Sequence, residues 1–336
     1  MINHEQQTIA LASRRDYTGR GVDTFRTRRL PLQSALADRG FRMIVLDGAK
    51  DHVEGGVFSR HYIFDDKEVE QIETAVSPLA GLDLSGGLAK LQLQNLPALN
   101  PISVRELGKS KSRQYELLGD LMPASVEAKS SVTAIHDAIE SIASERVVVK
   151  SNFDPGKTLP VIIGARHGIR ERINAFVSLA SPNSDVLVQE YMPEVEGGFH
   201  PELVFNDDES ALRKQLGGRG EVRMHYIDGQ LIASHARQDT EGTDKWLFFD
   251  QSSLPQTMKN IGNRAASLFF EKTHEPDIYL AVDVTPDGSR IVEVNTRNPG
   301  VMMPQPNRPG EQLVHEQTTG AIADKLVSMA NRRHDG

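Results

Sequence analysis

Cysteine is absent from all 336 residues. That absence excludes a disulfide scaffold, a thiolate zinc site, an iron–sulfur cluster and a cysteine nucleophile, and leaves the compartment open. No apolar run approaches the roughly 18 residues a membrane-spanning helix needs. The first residues, Met1 to Gln7, lack the apolar stretch of a secretory leader. The expectation is therefore a soluble, cytoplasmic protein that engages no membrane. A basic surplus is lacking too: the formal net charge is −8. Phosphate neutralisation requires excess Lys and Arg, so no nucleic-acid partner is expected. Tryptophan occurs once. Trp246 reads with Phe248 and Phe249 as a packed strand rather than a platform for stacking bases. There is no serine-hydrolase elbow, no GxxxxGK[ST] loop and no HExxH helix. What is present is a globular composition, 38% apolar and 25% charged, long enough for about two domains without staples.

The opening third reads as strand, helix, strand. Thr8 to Ser13 (TIALAS) is a short apolar run, Phe25 to Arg39 has near-helical apolar spacing that ends at Gly40, and Phe41 to Leu46 (FRMIVL) is a second strand. Such a unit implies a parallel sheet. His61 to Phe64 reads as a further strand and Asp66 to Ala75 as a helix. From Ser103 the pattern changes. Arg113 to Leu118 is helical, Met122-Pro123 is a break, and Ser131 to Ser144 places Ile135, Ala138, Ile139 and Ile142 on one face, with Ser131 or Thr133 as cap. Arg146 to Lys150 and Asp185 to Gln189 are strands, with a helix over Gly168 to Leu179 between them. Residues 193–209 carry six acids and no Lys or Arg, the pattern of a solvated loop. Two hairpins follow. Glu221 to Ile227 and Gln230 to Ala236 flank Asp228-Gly229, a tight-turn dipeptide. Tyr279 to Val284 and Arg290 to Asn295 flank Thr285 to Ser289. Leu254 to Lys272 and Glu311 to Asn331 are the remaining helices.

The second hairpin carries the sharpest chemistry. Side chains two apart on a strand share a face, so Glu293 and Asn295 point the same way. With the turn centred on Gly288, Asp283 lies opposite Glu293. Two carboxylates and an amide oxygen then converge, a hard-ligand set suited to Mg²⁺ held jointly with substrate phosphates. His225 and His235 face each other across the first hairpin in a packing or surface role. The loop Arg14 to Arg29 holds six arginines and follows the first strand, where α/β sheets commonly bind ligands.

Lys150 after a β-strand, then VLVQEYMPE, then Arg223 on a strand, then the D…EVN hairpin together resemble the ATP-grasp superfamily. The likeness is to its ribosomal-protein glutamate ligase and glutathione synthetase branches, over about residues 103–332. The resemblance implies an α/β fold with α+β lobes. It divides the chain into an N-terminal parallel α/β domain (1–103), a central lobe acting as a lid (104–192) and a C-terminal lobe with the Mg-binding hairpin (193–336). It implies ATP and Mg²⁺, or Mn²⁺, as cofactors. Lys111 and Lys150 match the phosphate-side lysines. Gln189, Glu190, Tyr191 and Met192 match the hinge that reads adenine through its main chain, and Glu194 the carboxylate that takes the ribose hydroxyls. Arg223 matches the phosphate-contacting arginine; Asp283, Glu293 and Asn295 match the metal ligands. Arg297 in NTRNPG is a substrate-side candidate beside the turn Pro299-Gly300. Arg223, Lys150 and Arg297 form the implied catalytic set. Two departures stand out: the loop after Lys150 is poor in glycine, with Gly156 and Lys157 its candidates for closing over nucleotide, and Gly197 to Gly220 is longer than in compact ligases.

The activity implied is an ATP-dependent carboxylate–amine ligase that works through an acyl phosphate. Its substrates would be a small carboxylate and an amine, amino acid or peptide in kind, with Arg14, Arg15 or Arg20 and Arg297 as specificity contacts. The rivals are a related small-molecule kinase and a catalytically inactive nucleotide-binding protein. The sequence carries no signal for assembly beyond the general prevalence of homodimers.

Overall fold

The structure is a computed structural model that describes residues 7–13, 30–47, 57–64, 69–83, 96–152, 161–181, 184–205, 219–240, 243–296 and 309–334. Its strands form three sheets. The first contains β1 (Thr8–Ser13), β2 (Arg42–Asp47), β3 (His61–Phe64), β4 (Val69–Ile72), β5 (Ala80–Asp83) and β6 (Ala98–Leu99), in the order β4-β3-β2-β1-β5-β6. Strand β1 pairs in parallel with both β2 and β5. Ile9, Ala10 and Leu11 are all buried, as expected of a central strand covered on both faces. The crossover is helix α1 (30–37), whose Leu32 and Leu36 enter the core. Gly40 follows it at φ +82, a left-handed position that suits glycine at a helix end.

One expected element is corrected. Asp66 to Ala75, read as a helix, contains β4, antiparallel to β3 with His61 opposite Ile72 and Phe64 opposite Val69. Four residues of V-E-Q-I fit either period. Antiparallel pairing with the preceding strand β3 decided the outcome, not local propensity.

The second sheet, β7 (Ser125–Lys129), β8 (Arg146–Ser151), β9 (Ile162–Ala165) and β10 (Asp185–Glu190), is antiparallel in the order β7-β10-β8-β9. Helices α4 (Val132–Ser141) and α5 (Arg170–Leu179) supply Ile135, Ile139, Ile173 and Phe176 to its core. Ser131 caps α4 by accepting from the Ala134 N–H. Ahead of this sheet lie α2 (Ile102–Lys109) and α3 (Lys111–Leu118).

The third sheet is antiparallel in the order β13-β12-β11-β14-β15. Its strands are β11 (Arg219–Ile227), β12 (Gln230–Thr240), β13 (Thr243–Leu247), β14 (Tyr279–Val284) and β15 (Ile291–Asn295). Asp228 and Gly229 both have positive φ, +49 and +77, as a type I′ hairpin turn requires. Helix α6 (Gln256–Thr273) covers the face bearing Val222, Met224, Tyr226, Leu280, Val282 and Val294. Residues alternating with these, including Glu221, Arg223, Asp283 and Glu293, take the other face. Helix α7 (Pro309–His334) packs Ile322, Leu326 and Met329 between the first and third sheets. Among the described residues no helix is long and apolar enough to cross a membrane.

Candidate functional site

A cavity of about 360 Å³ opens between the second and third sheets. Val148, Val161, Met192, Val195 and Val292 supply apolar walls, while Lys150, Gln189, Glu190, Glu221, Arg237 and Glu293 supply polar groups. That mixture and volume suit a small-molecule ligand.

On the second sheet, antiparallel pairing sets Lys150 opposite Leu187 and brings its ammonium to the Gln189 side-chain oxygen at 2.8 Å. Gln189 in turn donates to Ser125 Oγ at 2.9 Å. The Glu190 carboxylate accepts from Arg290 across the cleft at 3.1 Å. The main-chain N–H groups of Glu190 and Tyr191 donate to the carbonyls of Ala124 and Arg146. The Arg146 guanidinium lies 4.0 Å above the Tyr191 ring and holds it in place.

On the third sheet, Asp283 stands directly opposite Glu293, as the turn geometry predicted, and Asn295 is opposite Ala281. The Asn295 amide nitrogen donates to Asp283 Oδ2 at 2.8 Å and to Glu293 Oε1 at 3.1 Å, so the three side chains converge. Arg223 holds Asp283 with two parallel bonds, Nε to Oδ1 and Nη2 to Oδ2, each 2.6 Å. Such a fork is the strongest form of carboxylate recognition. Asp283 is fully buried.

The electrostatics follow from burial and crowding. Burial and the neighbouring Asp283 and Glu293 charges push Glu221 up to about 8, against the pull of Arg223 and Arg237. Burial also raises Asp283, only partly offset by Arg223. Burial works against the Glu293 carboxylate as well, yet Lys111, Arg223, Lys150 and the Asn295 amide outweigh it and hold Glu293 below its ordinary range. Of these three acids, Glu293 is the one whose ionised form its surroundings favour.

Of the residues singled out from sequence, Lys150, Gln189, Glu190, Tyr191, Met192 and Glu293 line the cavity. Lys111, Arg223, Asp283, Asn295 and Glu194 are not in its lining. Arg223, Asp283 and Asn295 lie directly behind Glu293, and Lys111 acts on it by charge. Glu194 sits in a 3-10 turn, Pro193–Glu196, with its buried Oε2 lacking a hydrogen-bond partner. Arg297, the arginines of 14–29, Gly156, Lys157 and most of the 197–220 insertion lie outside the described residues. His225 and His235 are fully buried and meet at 3.4 Å, a packing role.

Two charged residues of the cavity carry no role in the sequence reading, Glu221 and Arg237, paired at 2.7 Å. Their signal was available. Glu221 is two residues from Arg223 and therefore shares its face, and it lies across the Asp228-Gly229 hairpin from Arg237.

A divalent cation fits this arrangement. Asn295 already sets the positive end of an amide dipole between two carboxylates, and turning that amide presents its oxygen instead. Among the described residues no cluster of three or more acids and histidines forms a metal site. Magnesium, however, takes one or two protein carboxylates and leaves its other positions to water and phosphate.

The sequence matches no protein-family model and no curated protein. Solved structures do match, over nearly full length. The ATP complex of D-alanine–D-alanine ligase from Bacillus anthracis is similar at TM-score 0.60 and 14% identity, covering 98% of this chain and 99% of that one. A RimK-domain ATP-grasp protein from Sphaerobacter thermophilus is similar at 0.58 and 19%, covering 95% and 99%. The ATP-grasp ligase PsnB, complexed with its minimal precursor, Mg and ADP, is similar at 0.53 and 15%, covering 98% and 99%.

Proposed function

The chain has the ATP-grasp fold, a mostly parallel N-terminal sheet followed by two antiparallel-sheet lobes, and on that premise we propose that it is an ATP-dependent carboxylate–amine ligase. The observation that carries the proposal is the convergence of Asp283, Glu293 and Asn295 at one end of an apolar-walled cleft, with Lys150 on the opposing sheet. The similar structures support it: one is a D-alanine–D-alanine ligase bound to ATP, another a ligase bound to Mg and ADP.

In this reading adenine lies between Val148 and Val161 on one side and Val292 on the other. Its polar edge meets the Tyr191 carbonyl and the Met192 N–H, because the N–H groups of Glu190 and Tyr191 are committed to neighbouring strands. Glu194, with its unpartnered buried oxygen, takes the ribose hydroxyls. Lys150 and Lys111 place positive charge along the phosphates. Asp283, Glu293 and Asn295 would hold Mg²⁺, which when bound would neutralise charge on the β- and γ-phosphates. Arg223 first of all orients Asp283, and its positive charge offsets the buried acids. The domain divisions 1–103, 104–192 and 193–336 belong to the same proposal.

A carboxylate is a poor electrophile. Its oxygen attacks the γ-phosphorus, the bond from that phosphorus to the β-bridging oxygen breaks, and ADP leaves. The acyl phosphate then takes the amine at its carbonyl carbon, the amine loses a proton, and phosphate departs with the former carboxylate oxygen. No protein nucleophile is needed, so catalysis rests on positioning and preorganised charge. Amino acids or peptides are the proposed substrates, with Arg297 and the arginines at 14, 15 and 20 as their candidate contacts.

The test is release of ADP and free phosphate against pooled amino acids and small acids, with mass detection of a new amide. Glu293→Gln removes a charge at constant size and is expected to lower turnover at least about a hundredfold, with thermal unfolding little changed. ADP without free phosphate would make the protein a kinase. Near-normal Glu293→Gln turnover at low Mg²⁺ would remove the hairpin from the chemistry.

A further inference from the structure

Helix α3 is docked in an unusual way. Its buried positions are Ser112, Gln114 and Leu118, two of them polar. Leu118, with half-buried Tyr115 and Leu117, packs the C-terminal half against the apolar core of the third sheet. The N-terminal half buries only polar side chains, so hydrogen bonds decide where that half sits.

At one end, the helix is tied to the lysine strand. Asn152, fully buried and two residues beyond Lys150, accepts from the Ser112 N–H at 3.0 Å and donates to Ser112 Oγ at 3.1 Å. It also donates to Glu127 at 2.6 Å, and its carbonyl accepts from the Lys111 N–H at 3.5 Å. Two residues further on, the helix is tied to the acid hairpin. Gln114 accepts from the Val294 N–H at 2.8 Å and donates to the Val294 carbonyl at 3.0 Å and the Gly108 carbonyl at 2.6 Å. Val294 lies between Glu293 and Asn295 on β15, the edge strand of its sheet. The Gln114 side chain therefore satisfies β15 as a further strand would. Lys111, the first residue of the helix, belongs to the first tie and lies three residues before the second.

We infer that α3 is a strut between the second and third sheets, and that Gln114 and Asn152 are positioning residues that set Lys111 against both Lys150 and the Glu293 hairpin. The inference rests on the nucleotide reading above and extends it to residues that do not touch nucleotide. Its consequence is specific. Lys111 acts on the phosphates, so losing its placement weakens phosphate binding while leaving the adenine hinge, on another strand, unaffected. A merely structural role would weaken both alike.

The experiment is calorimetric titration with two probes, AMP and the Mg²⁺ salt of the non-hydrolysable triphosphate AMP-PNP. The proteins are wild type, Gln114→Met, Asn152→Ala, Lys111→Ala and the two doubles with Lys111→Ala. Gln114→Met and Asn152→Ala are each expected to weaken AMP-PNP about tenfold and AMP by less than about twofold. Each double is expected to match Lys111→Ala alone, because residues that act through one group do not add. Should Gln114→Met fail to fold, Asn152→Ala, at the opposite tie, carries the same test. Parallel loss of AMP and AMP-PNP, or effects that multiply in the doubles, would overturn the strut. An unaltered AMP-PNP affinity in Lys111→Ala would overturn it while leaving the ligase reading in place. A wild-type protein that binds neither probe would overturn the ligase reading and the strut with it.

Discussion

A Cβ added at Gly108 would lie 2.1 Å from Thr296 Oγ1 and 2.7 Å from Thr296 Cβ. The second distance matters more, since Cβ cannot be rotated away. Gly108 ends α2 where that helix meets the end of β15, and Asn100 reinforces the junction. Asn100 has φ +62, donates to the Tyr279 and Thr296 carbonyls and accepts from the Tyr279 N–H. Two effects compete in Gly108→Ala. Helix propensity would gain up to about 1 kcal/mol. Overpacking against an immobile neighbour costs roughly 1–3 kcal/mol. With contacts this short the second dominates, so Gly108→Ala is expected to lower stability in urea denaturation. A stabilised Gly108→Ala protein would mean the helix stands off from β15.

The hairpin of β11 and β12 makes a different prediction through its histidines. His225 meets the Tyr279 hydroxyl at 3.1 Å on one side and His235 on the other; Arg223, Arg237, Trp246 and Phe248 complete the surroundings. Burial first, then Arg223, lowers His225 to about 3, so it is neutral when folded. Unfolded, it takes a proton below about 6.5. Its contribution is therefore complete above that pH and is lost as pH falls toward about 3, at roughly 1.4 kcal/mol per unit. Glu221, raised to about 8, acts with the opposite sign, because its contribution fades as pH rises. A difference measurement separates them: the stability gap between wild type and His225→Gln is expected to shrink by about 2 kcal/mol from pH 6.5 to 5. A gap independent of pH would mean that His225 is charged in the fold. The same hairpins show what a sequence discloses. Asp228-Gly229 and the 285–289 turn fixed two registers, and through them the Asp283–Glu293 pairing, because turn residues and period-2 alternation are local signals. Glu221 was read as strand without a role, since its meaning depends on Arg237 across the pair. Gln114 and Asn152 left no trace, because a buried polar docking face has no apolar period. The four-residue β4 was mistaken for helix because so short a run fits either period, and only its pairing with the preceding strand β3 decides it.

Core connectivity sets how the molecule unfolds. One apolar cluster joins Ile9, Leu11 and Val45 of the first sheet, Ile227 and Tyr279 of the third, and Ile322, Leu326 and Met329 of α7. Lys325, buried on the same helix, binds Asp228 and reaches Asp277 at 2.8 Å, fastening α7 to the first hairpin. First and third sheets thus share one core. The second sheet has its own, built of Val147, Val149, Val186 and Val188 with α4 and α5. Its ties to the third sheet are polar, among them Arg290–Glu190 and, through α3, the Asn152 bonds. Separate cores joined by polar contacts unfold separately. The single tryptophan, Trp246, lies in β13 and so reports the third sheet alone, whereas far-ultraviolet circular dichroism reports all three. Phe176→Ala, in the second-sheet core, is expected to cost about 3–5 kcal/mol and to advance a dichroism transition in urea without moving the fluorescence midpoint. Leu326→Ala, at about 2–5 kcal/mol, is expected to move the fluorescence midpoint and leave the other transition in place. Coincident midpoints in both variants would show that the polar ties, α3 among them, couple the sheets strongly enough to make the whole chain one cooperative unit.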